Sequence, residues 1–375
     1  MIDSVLLQLE TGQFERRKNN KFDGIKSQGG LGYTNKTIFC KKYIAQKKKN
    51  GIYCPMVNIS KSKSGEGDDK KSLQIQVSLP KFIYGTNLYE IDEQDLGKIY
   101  RKIEIFLDEI GITTSIIDIK KAILRRVDFC KVIRLPEYLG TASEIIKSLF
   151  RFNYKPQSDF TYREFYTGGK GVLMKFWNST QGYAIYDKIS EILNNGYTDQ
   201  EKKLIDWYKG NERKRNAIRF ELSLQRKGSL DAVLRRRSAG DKKRDFYLED
   251  VLNREIVRGI LLDMFNKVFG QMTTGLITLS EMEDKKLRVY LENSGMSMLK
   301  QQRLYYWVLM TTINGVNGAW EHLRTKYSGN SITRVRKEIA LALQELGNIS
   351  GNTPNLIAFL RKEHENFEII RPKRG

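Results

Sequence analysis

The sequence has little of the chemistry that builds disulfide frameworks or histidine metal sites. Its 375 residues include only three cysteines, Cys40, Cys54 and Cys130, without Cys-x-x-Cys spacing. Such a set encodes neither a disulfide framework nor a thiolate zinc site, and it indicates a reducing, cytoplasmic setting. The only two histidines, His322 and His364, lie outside any His-hydrophobe-His motif. We therefore expect no histidine-built metal site, and we expect each histidine on a surface or a helix face.

Long apolar runs and an N-terminal targeting signal are also missing. No stretch approaches the roughly 18 apolar residues of a membrane-spanning helix. The opening MIDSVLLQLE has Asp3 and Glu10 and no basic residue before its apolar stretch, so no signal peptide is predicted. Positive charge is abundant instead, since 65 lysines and arginines stand against 44 acidic residues, a net charge of +21. This charge predicts a polyanionic partner, with nucleic acid as the first candidate and acidic lipid as a minor alternative.

Alternating apolar residues predict strands in the first two-thirds of the chain. The strand segments are SVLLQLE, SLQIQVSLP, RRVDFCKVIRL, GVLMKFWNS, GYAIYDK and AIRFELSLQ. Helical periodicity appears between them, in DEQDLGKIYRKIEIFLDEIG, TASEIIKSLFRF and TDQEKKLIDWYKG. Residues 60–71 lack apolar side chains and are predicted to form an exposed loop. The fold class predicted for residues 1–225 is therefore α+β.

The hydrophobic period changes to 3.6 residues from about Phe246 onward, so residues 246–375 are predicted to be a separate α-helical domain. Between the two parts, residues 226–244 hold eight basic residues against two acidic ones. This segment, taken as a linker over residues 226–245, is either a solvated connection or a contact to DNA phosphates. The basic residues that would make such contacts are Arg235, Arg236, Arg237, Lys242, Lys243 and Arg244.

A second basic group opens a helix in the C-terminal part. Arg334, Arg336 and Lys337 begin the segment TRVRKEIALALQELG. An ordinary amphipathic helix with a basic exposed side is the favoured interpretation. The alternative is a DNA recognition helix that enters a major groove.

Three predicted strands carry pairs of polar residues at positions i and i+2, which share one face of a strand. Taken singly, a pair of arginine and carboxylate is most simply a surface ion pair, worth at most roughly 1 kcal/mol. Taken together, the three pairs place a phenol, cations and two carboxylates on sheet faces. The pairs are Arg126 with Asp128, Arg219 with Glu221, and Tyr186 with Lys188.

These residue types supply the parts for phosphoryl transfer to a tyrosine. Asp128 and Glu221 can hold one Mg²⁺ or Mn²⁺ ion, because hard divalent cations prefer oxygen ligands and leave positions for phosphate oxygens. A tyrosine hydroxyl has a pKa of about 10 and is a poor nucleophile unless a cation favours the phenolate. Lys188 is expected to do this for Tyr186. Attack on a DNA phosphodiester would then expel the 3′ oxygen and leave a 5′-phosphotyrosine that can be resealed.

Other residues are assigned supporting or minor roles. Arg126 and Arg219 are expected to steer the scissile phosphate or to hold the carboxylates. Tyr183 is a minor candidate for the nucleophile, because a regular strand would point it to the opposite face from Tyr186. Trp177 could stack on a base, although a tryptophan in an alternating strand more often packs in the core.

The order of these elements resembles the gene II and gene X replication initiation proteins of filamentous phages and related plasmids. The resemblance covers roughly residues 1–225 and is carried by MIDSVLLQL, QIQVSLPKFIYGTN, RRVD, KFWNST, IYDKISE and IRFE. It implies a nickase that begins rolling-circle replication in the cytoplasm of a bacterial host. It also implies DNA as substrate, both the double-stranded origin and the single-stranded nick site, with a host helicase and DNA polymerase as partners. The implied fold is two ferredoxin-like, β-rich halves with a mixed or antiparallel sheet, followed by helices.

The resemblance also implies residue roles. Tyr186 matches the nicking nucleophile of the Tyr-x-Lys element, with Lys188 beside it, and Glu191 matches the acid of Tyr-x-Lys-x-x-Glu. The acids of RRVD and IRFE are Asp128 and Glu221. Two positions depart from the family pattern, since Gln74 stands for a glutamate and Thr86 for the histidine of Gly-His-Asn. Neither is therefore expected to be a ligand.

Two other functions remain open from the sequence. A non-catalytic, sequence-specific DNA-binding regulator of replication would explain the positive charge, but it has no need of a Tyr-x-Lys element beside two acidic strands. A relaxase or transposase would use the same tyrosine chemistry in a different biological setting.

Overall fold

A computed structural model describes residues 1–30, 33–63, 70–152, 162–168, 171–211, 214–237, 245–269, 284–327, 329–347 and 356–372. Its strands are β1 Ile2–Glu10, β2 Glu15–Arg16, β3 Gly24–Gly30, β4 Tyr33–Phe39, β5 Met56–Lys63, β6 Lys70–Ser78, β7 Ile112–Thr113, β8 Ile123–Arg134, β9 Tyr162–Gly168, β10 Gly171–Trp177, β11 Gln181–Asp187 and β12 Ala217–Leu224. All six strand segments predicted from alternation are present, as β1, β6, β8, β10, β11 and β12.

Helices follow and separate the strands. They are α1 Lys41–Lys49, α2 Leu79–Tyr84, α3 Leu96–Glu109, α4 Ile116–Lys120, α5 Ala142–Phe152, α6 Lys188–Asn195, α7 Asp199–Lys209, α8 Lys227–Arg235, α9 Leu248–Val251, α10 Arg254–Phe269, α11 Asp284–Glu292, α12 Met298–Lys326, α13 Gly329–Gly347 and α14 Leu356–Asn366. Glu93–Asp95 and Glu137–Leu139 form short 3₁₀ turns. The helices predicted from periodicity in the first part of the chain are confirmed as α3, α5 and α7, and helices α9 to α14 confirm the helical period predicted from about Phe246 onward in the described residues.

The α+β class is confirmed by one large antiparallel sheet. Its ten strands lie in the order β3-β4-β5-β6-β1-β8-β12-β11-β10-β9, and β2 pairs with β7 in a separate ribbon. Every neighbouring pair in the large sheet is antiparallel. The β9–β10 turn brings Gly168 opposite Gly171, whose φ of +101° favours glycine, so these glycines serve a hairpin.

One face of the sheet is apolar and covered by helices. Alternation buries Val5, Leu7, Val127, Phe129 and Phe220 on this face. Helices α5, α8, α10 and α14 contact the strands, and the buried cluster continues without a break from Met1 through the sheet to Phe367. The C-terminal helices therefore share the core of the sheet. This differs from the expected separate domain, because α10 and α14 pack against β8 and α12 packs on α5, which itself contacts β10 and β11.

The basic segment after β12 is not an extended linker in its described part. Residues 227–235 form α8, and Leu230 and Leu234 are buried against the sheet. The helix forms because these two leucines, four residues apart, share one face. Lys242, Lys243 and Arg244 lie outside the described residues.

The loop predicted for residues 60–71 is also modified by the structure. The ends of the segment 60–71 belong to β5 and β6, and residues 64–69 between them lie outside the described part. Among the helices that the structure describes, none combines the length and the apolar composition that a membrane span requires.

Candidate active site

The strand register brings Tyr186 and two of the three polar pairs, Arg126 with Asp128 and Arg219 with Glu221, to one face of the sheet. Tyr186 on β11 lies opposite Arg219 on β12, and Asp128 on β8 lies opposite Ser223 on β12. On its other side, Asp128 lies opposite Ser4 on β1. Residues that face each other across antiparallel strands point to the same side. We call this side, which is opposite to the helix-covered one, the polar face.

Arg219 is the centre of the cluster on the polar face. Its side chain is fully buried, and its guanidinium lies 3.0 Å from Asp3 Oδ1 and 3.2 Å from Glu221 Oε2. It also donates to the carbonyl oxygen of Asn87 at 2.8 Å. Burial alone would lower the pKa of Arg219, but Asp3 and the other acidic neighbours hold this pKa well above its usual value. Arg219 is therefore a permanent buried cation that fixes two carboxylates.

Tyr186 is half-buried on the polar face, and its hydroxyl donates to Glu221 Oε2 at 3.0 Å. Burial raises the pKa of this phenol well above 10, and Arg219 opposes that shift. Burial, together with the nearby carboxylates of Asp3 and Asp128, raises the pKa of Glu221 to about 7. A carboxyl group that exchanges its proton near neutral pH and touches a tyrosine hydroxyl has the position of a general base.

Lys188 does not occupy the position expected for it. Strand β11 ends at Asp187, whose carboxylate caps α6 by accepting from Ile189 and Ser190 N–H groups, so Lys188 begins a helix. Its buried ammonium donates to Asn87 Oδ1 and to Glu191 Oε2, both at 2.6 Å.

The ammonium of Lys188 lies 5.8 Å from the centre of the Tyr186 ring. The cation that acts on the pKa of the phenol is therefore Arg219 rather than Lys188, which corrects the expected division of labour. Burial and Arg219 lower the pKa of Lys188 itself. Burial would raise the pKa of Glu191, but the ammonium of Lys188 holds this pKa below its usual value.

Asp128 is held by three groups on the polar face. Ser4 Oγ donates to its Oδ2 at 2.8 Å, and Ser223 Oγ donates to its Oδ1. Arg126 donates to both oxygens, the shorter contact being 3.2 Å. Asp128 on β8 lies opposite Ser223, which is two residues from Glu221 on β12. Asp128 and Glu221 therefore lie on the same face of adjacent strands. The sequence-derived juxtaposition of the two acids is present in the structure.

Two residues of the cluster were not singled out from the sequence. Asp3 binds Arg219 and accepts from Ser78 Oγ at 3.2 Å, and Arg219 with Lys188 holds its pKa below the usual value against the effect of burial. Asn87 joins the two buried cations, through its carbonyl to Arg219 and its amide oxygen to Lys188. The signal for Asn87 was its place at the end of QIQVSLPKFIYGTN; the signal for Asp3 was an acid at the start of an apolar strand.

The remaining aromatic candidates lie on opposite sides of the sheet. Tyr183 is fully buried in the helix-covered core beside Phe220, so it does not join Tyr186. Trp177 is half-buried on the polar face, where Lys175 Nζ lies 5.4 Å from its ring centre. It therefore differs from the core position that is usual for a tryptophan in an alternating strand.

The histidines lie away from this cluster. His322 is half-buried and contacts the hydroxyl of Tyr306. His364 is fully buried between Phe220 and Phe265, so of the two expected places, a surface or a helix face, it occupies a buried face of α14. Burial lowers its pKa to about 4, because the charged imidazolium would lose its hydration there.

The predicted DNA contacts outside the cluster are scattered in the described residues. Arg235 and Arg236 are exposed on and after α8, while Arg237 bonds to Asp263 and to the Gly259 carbonyl on α10. On α13, Arg334 and Lys337 are exposed, whereas Arg336 lies over the Trp320 ring at 5.0 Å. Arg237 and Arg336 are therefore engaged in packing.

The carboxylates suit a hard divalent cation in charge and in number. Within the described ranges, no group of three or more Asp, Glu, His or Cys residues forms a metal site. Mg²⁺, however, is commonly held by one or two carboxylates together with waters and substrate phosphates. Burial, and after it the carboxylates of Asp3 and Asp128, raises the pKa of Glu221, and a cation bound beside Glu221 would oppose this shift. Asp128 and Glu221 therefore fit an ion of this kind.

Comparison with known proteins adds no family to this geometry, since no protein-family model, curated protein or solved structure matches the chain.

Proposed function

We propose that this protein is a site-specific, metal-dependent DNA nicking and strand-joining endonuclease that initiates and terminates rolling-circle replication of a phage or plasmid. One observation carries the proposal: the Tyr186 hydroxyl, on a half-exposed face, donates to Glu221, and Glu221 is itself paired with the buried Arg219. This arrangement gives a phenol, its proton acceptor and a fixed cation in one place. The resemblance to the gene II and gene X initiators supplies the biological setting.

The chemical step is a transfer of a phosphoryl group to Tyr186. The phenol gives its proton to Glu221 Oε2, and the phenolate oxygen forms a bond to the phosphorus of a DNA phosphodiester. The bond from phosphorus to the 3′ oxygen breaks, and this oxygen takes up a proton to become a 3′ hydroxyl. The reverse reaction, in which a 3′ hydroxyl displaces Tyr186, reseals the strand. Resealing needs no external energy source, because the phosphotyrosine linkage conserves the energy of the broken phosphodiester bond.

Burial raises the pKa of the Tyr186 phenol, so little phenolate is present before the reaction. The site must therefore stabilise the negative charge that develops on the phenol oxygen and the phosphate during the reaction. Arg219 lies opposite Tyr186 and would favour negative charge developing on the phenol oxygen and the phosphate. Lys188, fixed by Asn87 and Glu191, lies 5.8 Å from the centre of the Tyr186 ring and would add positive potential. Arg126, held by Asp128, would orient the scissile phosphate.

A divalent cation completes the proposed site. Asp128 and Glu221 would hold Mg²⁺ or Mn²⁺, and the bound ion would polarise the scissile phosphate.

Several broader features belong to the same proposal. The division into two ferredoxin-like halves is supported by the strand order, in which β1 and β8 pair at the centre and each half of the chain extends to one side. The net charge of +21 supports DNA as the partner. Cytoplasmic localisation in a bacterial host, and cooperation with a host helicase and DNA polymerase, follow from the resemblance.

A covalent-adduct assay tests the proposal. Protein is incubated with single-stranded origin oligonucleotides and Mg²⁺ or Mn²⁺, and adducts are separated on a denaturing gel. We expect a shifted band with the wild type and with Tyr183→Phe, and none with Tyr186→Phe. Absence of the band from wild-type protein would favour the non-catalytic DNA-binding regulator.

A further inference from the structure

The polar face has a covered end and an open part. Helix α6 covers the end near Arg219, where Ile189 and Ile192 pack against Val132 and Ala217. Beyond this cover, the polar face is lined by half-buried polar and aromatic side chains. They are Gln8, Gln74, Gln76, Arg126, Lys175, Trp177 and Ser223. Tyr186 and Glu221 lie at the border, so a ligand on the open part would reach the tyrosine hydroxyl.

A β-bulge places two consecutive arginines on the open part. Leu6 of β1 lies opposite Arg126, but Leu7 lies opposite Leu124, so Arg125 is an extra residue in β8. Arg125 Nε donates to Gln8 Oε1 at 3.0 Å, which places it on the polar face beside Arg126. The side chains of Arg125 and Arg126 remain 33% and 35% exposed. A regular strand would point one of them into the core.

Trp177 and Lys175 flank the open part on the other side of Tyr186. Leu173 lies opposite Tyr186, so Trp177 is four residues farther along β10, about 13 Å away at the rise of a strand. Gly182 lies opposite Trp177 and brings no side chain over it. Lys175 stands between the two positions on the same face. A cation and an aromatic ring thus lie within a few nucleotides of the reactive hydroxyl.

We propose that the open part of the polar face is a track for single-stranded DNA, with Arg125, Arg126 and Lys175 contacting phosphates and Trp177 stacking on a base. This rests on the proposed function of Tyr186. Positive side chains complement the phosphates, and the track is continuous with the candidate active site. An unpaired strand is favoured over a duplex because a base inside a duplex is already stacked and cannot offer its face to an aromatic ring.

Binding measurements on a Tyr186→Phe background test the track without covalent chemistry. The probe is a fluorescein-labelled single-stranded oligonucleotide, with a duplex of equal length beside it. Trp177→Ala is expected to weaken single-strand binding by about ten-fold or more and to leave duplex binding unchanged. The double variant Arg125→Gln with Lys175→Gln should reduce the slope of log affinity against log salt by roughly 0.7 for each cation lost.

The matched control is Lys300→Gln, which removes an exposed cation on α12, away from the polar face. It should leave the single-strand affinity within about two-fold. If Trp177→Ala unfolds, Trp177→Phe serves instead, since bound oligonucleotide should quench tryptophan emission in the parent and quench it less in this variant. Trp307 and Trp320 are buried and should not respond, and the exposed Trp207 is present in both proteins, so the difference in quenching between them reports Trp177.

The track is overturned if both variants bind the single strand as tightly as the parent, if Lys300→Gln loses as much affinity, or if duplex binding falls equally. These outcomes are separate from those of the adduct assay. Adducts at Tyr186 with unaltered binding by the track variants would reject the track alone. Weakened binding without any wild-type adduct would reject the nickase and leave the track.

Discussion

At the scale of single residues, the site depends on how Arg219 distributes one buried positive charge among several acids. Its guanidinium contacts Asp3 and Glu221, yet the pKa of Glu221 is still raised to about 7. Burial is the largest cause of this shift, and Arg219 offsets burial and the neighbouring carboxylates only in part. Protonation of Glu221 should therefore be measurable as a pH dependence of the unfolding free energy.

The pH dependence of stability should reveal Glu221. Its pKa rises from 4.5 to about 7 on folding, so the folded protein holds a proton that the unfolded chain releases, and stability is lost as pH rises through this window. Relative to Glu221→Gln, the wild type should lose about 3 kcal/mol of unfolding free energy between pH 4.5 and pH 8 without divalent ions. Urea unfolding at the two pH values measures this difference.

A pH-independent difference between the two proteins would contradict the assigned environment of Glu221.

The same pair of proteins tests whether Glu221 binds the divalent ion. At pH 8, added Mg²⁺ should raise the unfolding free energy of the wild type and not that of Glu221→Gln, because the ion relieves the charge that the glutamine lacks. Equal stabilisation of both proteins would remove Glu221 from the ion site.

Asn87 should act as a positioning residue for Lys188. Asn87→Ala removes the amide oxygen that holds the buried ammonium, while the backbone carbonyl that binds Arg219 remains. The rate of adduct formation at saturating DNA should fall by about ten-fold, in line with the cost of an unsatisfied buried group, while DNA affinity is unchanged. Single-turnover kinetics separate the two effects, and Asn87→Asp, which retains an acceptor, should restore part of the rate. Equal loss of affinity would indicate a structural role instead.

The sequence predicted which site residues share a face only where these residues lie on regular strands. The two-residue period placed Arg126 with Asp128 and Arg219 with Glu221, because β8 and β12 are regular there. It failed for Lys188, since Asp187 ends the strand by capping a helix. Contacts such as that between Asp3 and Arg219 depend on strand order, which local periodicity does not encode.

At the scale of elements, part of the basic stretch after β12 forms a helix, α8, that packs against the sheet. Leu234→Ala should destabilise the protein by roughly 2–5 kcal/mol, because Leu234 is buried against the sheet. Arg236→Ala, at an exposed position, should change stability by less than about 0.5 kcal/mol. Urea unfolding measures both, and an unaffected Leu234→Ala protein would indicate a free linker.

Helix α14 should make the fold sensitive to acid through His364. Its pKa falls from 6.5 to about 4 on folding, so the unfolded chain binds the proton first and stability is lost as pH falls through this window. The wild type should lose about 3 kcal/mol between pH 7 and pH 4 that His364→Phe retains. Parallel acid titrations of unfolding free energy check this, and identical slopes would place His364 in water.

The elements missed by periodicity share a physical cause. Strands β3 and β4 have few apolar residues to set an alternation, and β3 is an edge strand in which half of the pairing groups need no partner strand. Helix α1 has no buried residue, so no apolar stripe marks it. Such elements are specified by neighbours in the sheet rather than by their own pattern.

At the scale of the whole molecule, the two faces of one sheet have different tasks. The apolar face carries the core, including α10 and α14, so the C-terminal third stabilises the sheet from behind. The polar face carries the candidate active site, and in the part of the chain that the structure describes its side chains remain partly exposed beyond α6. The sequence could anticipate the alternation that creates two faces, but the packing of the helices on one side depended on long-range assembly.

The most direct test of the account is to identify the residue that becomes linked to DNA and the end of the strand that it holds. Adducts formed with oligonucleotides labelled at the 3′ or the 5′ end are digested with protease, and the modified peptide is sequenced by mass spectrometry. We predict that the phosphate lies on Tyr186 and that only the 3′-end label stays on the protein. A modified residue other than Tyr186, or retention of the 5′-end label, would contradict the account.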